Sequence, residues 1–247
     1  HHRSKLIYSV TMIISLISVI GVLKINVNGY VVDDLPQNSP IIRDLKFFET
    51  NFEGILPLEV SIDTRKKNGI LNLSTIKKVD RMEEMISGYP EFSRSVSLNK
   101  ALKYASQAFY NGDPQFFRIP NDMEKNFVLS YLGNSGGNNY MLKGFVDSNK
   151  QVTRVSFQMA DVGSKRMNEL LEELKPRIDS ILKPERYDVL LTGSSIIFSK
   201  GTDYMLMHLM ESILLAIVLI SLLRLAQFKD VKIMFISLLP NIIPLII

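Results

Sequence analysis

His208 and Glu211 are the residues whose types and spacing point most directly to chemistry. They lie three positions apart in an apolar run, so a helix would place them on one face. Ionisable groups inside a membrane segment are functional candidates by default. We predict either a role in substrate entry or coupling, or an interfacial or helix-packing role near the outer end of the run. A metal site is disfavoured because no second His or Cys lies near His208.

A second candidate is the group Pro240, Asn241 and Pro244, which interrupts an apolar run near the end of the sequence. Broken helices within membranes can create binding sites. The same pattern also fits the kinked start of a helix that packs against its neighbours. Both interpretations stay open from the sequence alone.

A third candidate is an aromatic group, Phe109, Tyr110, Phe116 and Phe117, in a polar stretch of the chain. These residues could line a cleft for a hydrophobic substrate, or they could simply pack the segment that carries them. The sequence favours neither alternative.

Other kinds of chemistry find no support in the residues. The chain contains no cysteine, which excludes a disulfide scaffold, a thiol nucleophile and a Cys-ligated metal. His208 is the one histidine outside the N-terminal pair, and the sequence offers it no partner residues for a Ser-His-Asp triad. We expect no enzyme and no cofactor.

The excess of positive over negative charge lies at the apolar ends of the sequence. The 247 residues include 29 basic and 25 acidic side chains, for a net charge of +4. Residues 28–203 hold 23 of each sign, so the whole excess falls outside them. A nucleic-acid-binding domain would carry its basic residues as a patch on the folded part. The distribution therefore argues against a nucleic-acid partner.

Three apolar runs predict helices in a membrane. Residues 6–23 are uncharged and would span about 27 Å as a helix, enough to cross the hydrocarbon core. The length of this run favours a retained transmembrane helix over a signal peptide. Residues 204–223 form a second span, and residues 233–247 begin a third in which the sequence stops. We therefore expect a fragment of a larger, multi-pass membrane protein.

Basic residues beside these runs predict the orientation. Two of them precede the first run, and the loop of residues 225–232 carries Lys229 and Lys232. Lys and Arg are enriched in short cytoplasmic flanks, so residues 28–203 are predicted to lie outside the cell or in the periplasm. The predicted segments are residues 1–27, 28–203, 204–224, 225–232 and 233–247.

The outside segment alternates strand and helix patterns. Apolar and polar residues alternate over Leu56 to Asp63, which is typical of a half-buried strand. Apolar residues three or four positions apart predict a helix from Leu73 to Ile86. Further strands are predicted over residues 92–98, 140–147, 152–159 and 187–192, with a turn at residues 148–150. A long helix is predicted between the last two strands, capped by Ser164 and bent at Pro176.

Residues 99–134 are predicted to be an insertion with two short helices. The first runs from Asn99 to Tyr110, and the second follows Asn121, whose spacing to Glu124 matches a capping box. Without the insertion, the order of elements predicts an α+β fold. We expect a ferredoxin-like (split βαβ) sandwich, with an antiparallel-rich sheet and helices on one face.

Four local stretches, in this order along the chain, resemble resistance–nodulation–division (RND) transporters. They are Asp34–Pro40, Thr192-Gly193, Phe228–Asp230 and Ser237–Leu245. The closest resemblance is to the mycobacterial-membrane-protein-large and hopanoid-exporter-like group. The Pro-Asn-x-x-Pro pattern beginning at Pro240 is the most specific of the four and resembles the second half of these proteins more than the first.

The resemblance implies a fragment of a proton-driven exporter in the bacterial inner membrane. Residues 28–203 would be a periplasmic porter domain that collects a hydrophobic or lipid-like substrate. Expected partners are the lipid bilayer, that substrate, the other half of the same transporter and further copies of the chain. The proton-relay residues of the family lie on a later helix, so none is assigned here. The alternative is a membrane-anchored ectodomain that binds a ligand or partner and transports nothing.

Overall fold

A computed structural model describes residues 2–24, 28–31, 36, 38–134 and 144–246. The chain divides into two compact units. One is Gly29–Gly201, and the other combines His1–Asn28 with Thr202–Ile247.

The Gly29–Gly201 unit is built on a three-stranded antiparallel sheet. Its strands are β1 (Leu56–Asp63), β2 (Val152–Met159) and β3 (Asp188–Thr192), in the order β2-β1-β3. β1 pairs with β2 from Leu56↔Met159 to Asp63↔Val152, and with β3 from Glu59↔Thr192 to Asp63↔Asp188. Every second residue of β1 is buried, as its alternating sequence predicts.

Helices α3 (Leu73–Ile86) and α6 (Gly163–Ile181) bury their apolar stripes in the same core as the inward side chains of the sheet. The buried stripes include Val79, Met82 and Ile86 of α3 and Leu170, Leu174 and Ile178 of α6. The helix predicted from Leu73 to Ile86 is confirmed. The Asn72 side chain caps its start by accepting a hydrogen bond from the Ser74 amide.

The strand predicted over residues 92–98 is wrong. Only two isolated bridges form there, Phe92↔Met159 and Val96↔Ser156, and the chain then turns into α4 (Leu98–Phe109). The Ser97 hydroxyl accepts a hydrogen bond from the Lys100 amide and so starts this helix. The N-cap serine therefore ends the extended segment that apolar alternation suggested.

A second, smaller core forms within the predicted insertion and beside it. α4 packs with α5 (Asp122–Asn134) and with the short 3-10 helix Pro114–Phe116, and α3 packs with another, Gly69–Leu71. The buried members of this core are Ile70, Ile76, Leu98, Leu102, Ala105 and Val128. The capping box at the start of α5 is confirmed, since the Asn121 and Glu124 amides each bond the other side chain at 3.0 and 2.9 Å.

Two further predictions near β2 need correction. Residues 140–143 of a predicted strand lie outside the described residues, and its remaining part makes only an isolated bridge, Val146↔Thr153. Ser164 does not cap α6, because the helix already begins at Gly163. The Ser164 hydroxyl instead accepts a hydrogen bond from the Gly29 amide at 3.1 Å.

Four more helices complete the described residues. They are α1 (His2–Lys24), α2 (Pro40–Phe52), α7 (Ser194–Phe228) and α8 (Val231–Ile246). Among the described residues, α7 is the one helix whose length and composition would allow it to cross a membrane. Within α1, the described apolar stretch is shorter, Ser9–Ser18. The multi-span arrangement therefore stays a prediction.

Candidate functional site

His208 and Glu211 lie together on one face of α7. The His208 Nδ1 and a carboxylate oxygen of Glu211 are 2.9 Å apart, so the predicted contact between them is present. The ring of Tyr204 packs against the His208 ring edge-on, with centroids 4.0 Å apart. Both side chains of the pair are about half exposed or more. This arrangement can hold a proton between an imidazole and a carboxylate, but its role in coupling stays a prediction.

Pro240, Asn241 and Pro244 all lie within α8, which continues from Val231 to Ile246. The helix backbone therefore runs through both prolines. The side chains of these three residues lie outside the described part of the chain, so a binding role for them stays a prediction.

The four predicted aromatic residues fall into two separate sets of contacting rings. Tyr110 stacks on Phe116 with centroids 3.8 Å apart and meets Phe109 edge-on at 5.2 Å. Phe117 instead packs against Tyr104 at 4.9 Å. Phe109 and Phe117 are exposed, and so is Tyr104. Each ring thus packs against another ring of the same segment, while Tyr104, Phe109 and Phe117 keep an apolar surface exposed.

A polar network anchors this aromatic group. Glu124 accepts hydrogen bonds from both terminal nitrogens of Arg118 and from the Tyr110 hydroxyl, each at 2.9 Å. The Arg118 hydrogen bonds, followed by the Asn121 amide, lower the pKa of Glu124 to about 2. The hydrogen bond to this carboxylate in turn raises the pKa of Tyr110. Glu124 of α5 therefore ties together Tyr110 and Arg118, which lie on either side of Phe116 in the chain.

An open polar cavity of about 620 Å³ lies beside the same helices. It is lined by residues of the Asn68–Ser74 stretch together with Lys77, Asp122 and Lys125. Its lining contains none of the four aromatic residues. The cavity and the aromatic group are therefore separate features.

A buried acid, Glu83, is the residue that the sequence analysis missed. Its side chain is 1% exposed, and one carboxylate oxygen accepts a hydrogen bond from the Ser95 hydroxyl at 2.7 Å. Its other oxygen has no hydrogen-bond partner. Burial raises the pKa of Glu83 to about 7, and the hydrogen bond from the Ser95 hydroxyl acts in the opposite direction.

Charged neighbours surround Glu83 on two helices. Asp80 lies one turn before it on α3 and raises its pKa, while Lys100 of α4 lowers it. Lys103 of α4 contacts Asp80 at 2.7 Å and Glu84 at 3.8 Å. The sequence does carry a signal for Glu83, because Val79, Glu83 and Ile86 share one helical stripe.

No group of three or more potential metal-ligating side chains occurs among the described residues. In comparisons with known proteins, no family model matches the chain and no curated protein matches it.

Proposed function

We infer that the chain is part of a proton-driven RND exporter of the mycobacterial-membrane-protein-large type, in which the Gly29–Gly201 unit collects or channels a hydrophobic, lipid-like substrate. The observation that carries this proposal is the order of elements. An apolar helix, α1, precedes an α+β unit, and the long apolar helix α7 begins two residues after the last strand of that unit.

The connectivity of the sheet supports a split βαβ, ferredoxin-like porter domain. β1 leads through α3 to the extended residues 92–96, and β2 leads through α6 to β3. Residues 92–96 bridge the edge of β2 that faces away from β1. In the proposed fold, residues 92–96 take the place of a fourth strand, so that the order residues 92–96, β2, β1, β3 interleaves the two βαβ units.

The membrane arrangement follows from charge and hydropathy. In the proposed multi-pass topology α1, α7 and α8 belong to the bacterial inner membrane. The basic residues in the first turn of α1 and around the junction of α7 and α8 keep those ends in the cytoplasm. The Gly29–Gly201 unit would then lie in the periplasm. Its partners would be the bilayer, the substrate and the other half of the transporter.

His208 and Glu211 are the proposed coupling residues within this chain. They provide an imidazole and a carboxylate in contact on an apolar helix, which is the kind of pair that can bind and release a proton. The exposed rings of Tyr104, Phe109 and Phe117 supply an apolar surface in the periplasmic unit that suits a lipid-like molecule.

An efflux measurement on the complete protein tests the proposal. Cells that express it are loaded with N-phenyl-1-naphthylamine, a lipophilic fluorescent probe, and their exported lipids are compared by mass spectrometry. We expect lower probe retention or a changed lipid profile, and a protonophore should abolish the difference. Retention and lipids identical to those of cells without the protein would instead favour a membrane-anchored, ligand-binding ectodomain.

A further inference from the structure

The two outer edges of the sheet differ. Along β2, two short extended segments cover the edge: the amides of Ser93 and Val96 donate to carbonyl groups of β2, and the amide of Arg154 donates to Phe145. Along β3, no described segment adds to the edge. An unpaired edge presents a row of backbone donors and acceptors that can pair with another chain.

The hydrogen-bond pattern shows which backbone groups of β3 face away from β1. Ser156 of β2 exchanges backbone hydrogen bonds with Val96. The amide and carbonyl groups of even-numbered residues of β2 therefore face away from β1, and those of odd-numbered residues face β1. By the same alternation and the observed registers, Asp188, Leu190 and Thr192 of β3 bond to β1. The amides and carbonyls of Val189 and Leu191 therefore face outward.

One contact at the free edge agrees with this assignment. The Lys175 ammonium lies 3.5 Å from the Val189 carbonyl oxygen and 3.0 Å from Asp179. Its side chain is half exposed, so it can leave the carbonyl at little cost. Within the described part of the chain, this half-exposed surface side chain is the group that screens the edge.

An open, largely apolar groove runs beside this edge. It has a volume of about 670 Å³ and lies between α6, β3 and the first turns of α7. Leu171, Pro176, Leu191 and Ile196 contribute its apolar lining, and Glu172 and Lys175 its charges. A further strand beside β3 would direct its inward side chains into this groove, as β3 itself does into the core.

We propose that the outer edge of β3 pairs antiparallel with β3 of a second copy of this chain, centred on Leu190. In this register Val189 of each copy lies opposite Leu191 of the other, and these are the residues whose backbone groups face outward. Four backbone hydrogen bonds would form. Registers that place Val189 opposite Val189, or Leu191 opposite Leu191, would match only one such pair.

The side chains of β3 also suit self-pairing. Leu190 is 63% exposed on the outer face, and in the proposed register it meets Leu190 of the second copy at a closely spaced, non-hydrogen-bonded position. Asp188 lies opposite Thr192, so no like charges oppose each other. On the other face, a two-fold axis would direct Glu172 of one α6 toward Lys175 of the other.

Disulfide trapping on the full chain in lipid nanodiscs tests this pairing. The protein has no cysteine, so Leu190→Cys introduces one thiol per copy. Facing residues at a non-hydrogen-bonded antiparallel position approach closely enough for a disulfide. We expect oxidation to convert most of this variant to a species of twice the chain mass. Val96→Cys, 60% exposed at the opposite edge, is the matched control and should stay single.

A charge variant tests the same interface without oxidation. Leu190→Lys places two ammonium groups opposite each other, so the dimer measured by mass photometry in nanodiscs should weaken at least tenfold. Leu190→Gln, which adds no charge, should keep most of it. Single copies of the wild type, equal cross-linking at Val96→Cys, or an unchanged dimer in Leu190→Lys would each overturn the proposal.

Discussion

At the scale of single residues, Glu83 makes the folded state sensitive to pH. Its pKa is about 7 in the folded chain against an ordinary value of 4.5. The folded state binds the proton of Glu83 more tightly than the unfolded state does, so protonation of Glu83 stabilises the folded state. This stabilisation is fully present below about pH 4.5 and is lost as the pH rises through about 7. The shift corresponds to about 3 kcal/mol, as an order of magnitude.

Glu83→Gln should remove this dependence. The neutral amide keeps the shape of the protonated acid, and the Ser95 hydroxyl can turn to accept from it. We expect the variant to melt at a higher temperature than the wild type at pH 8 and at a similar temperature at pH 4.5, measured by tyrosine fluorescence in detergent. Glu84→Gln, on an exposed site of the same helix, should behave like the wild type. Equal pH dependence in Glu83→Gln would contradict the assignment.

The second prediction at this scale concerns Glu211. If its contact with His208 couples proton movement to transport, then Glu211→Gln should reduce probe efflux by the complete protein at least tenfold without loss of expression. Met207→Leu, an apolar replacement on the same exposed helix, is the control and should transport normally. Normal efflux in Glu211→Gln would return this residue to an interfacial role.

At the scale of elements, the junction between β3 and α7 depends on one glycine. Gly193 has φ +125°, and a Cβ there would collide with the carbonyl oxygen of Pro57. The Ser195 hydroxyl donates to the same carbonyl at 2.8 Å, which ties the start of α7 to β1. This close approach leaves no room for a side chain at the junction.

Gly193→Ala should therefore destabilise the folded unit by about 1–3 kcal/mol. Gly201→Ala is its control, because that glycine lies in α7 with open space around its Cα, and alanine there should be neutral or slightly stabilising. Thermal melting of both variants in detergent measures the difference. A Gly193→Ala chain as stable as the wild type would show that the junction can shift.

The same scale shows what the sequence could and could not predict. β1, β2 and α3 follow from periodicity because each buries one face against the core. Residues 92–98 carry the same alternation, yet tertiary pairing there is limited to two bridges and the Ser97 cap converts the end into helix. Periodicity does not predict the burial of Glu83, because its carboxylate is held by Ser95, which lies in the next segment of the chain, beyond the end of α3.

At the scale of the whole molecule, the proposed topology makes a labelling prediction. A cysteine at the exposed Lys66 should react with a membrane-impermeant maleimide in cells with a permeable outer envelope, since the Gly29–Gly201 unit is proposed to be periplasmic. A cysteine at Gln227, near the end of α7, should react only after the inner membrane is opened. Gln227 is chosen because its replacement keeps the basic flank. The reverse labelling pattern would contradict the orientation.

The register of the sheet has a consequence for biosynthesis. The central strand β1 is made first, and its partners in β2 lie 89 to 103 residues later in the chain. At about 5–20 residues per second, β1 waits roughly 4–20 s for its first neighbour to be synthesised. The second, smaller core, which α3, α4 and α5 build, can form from local contacts in that interval. Nascent chains should therefore acquire this core well before β1 pairs with β2.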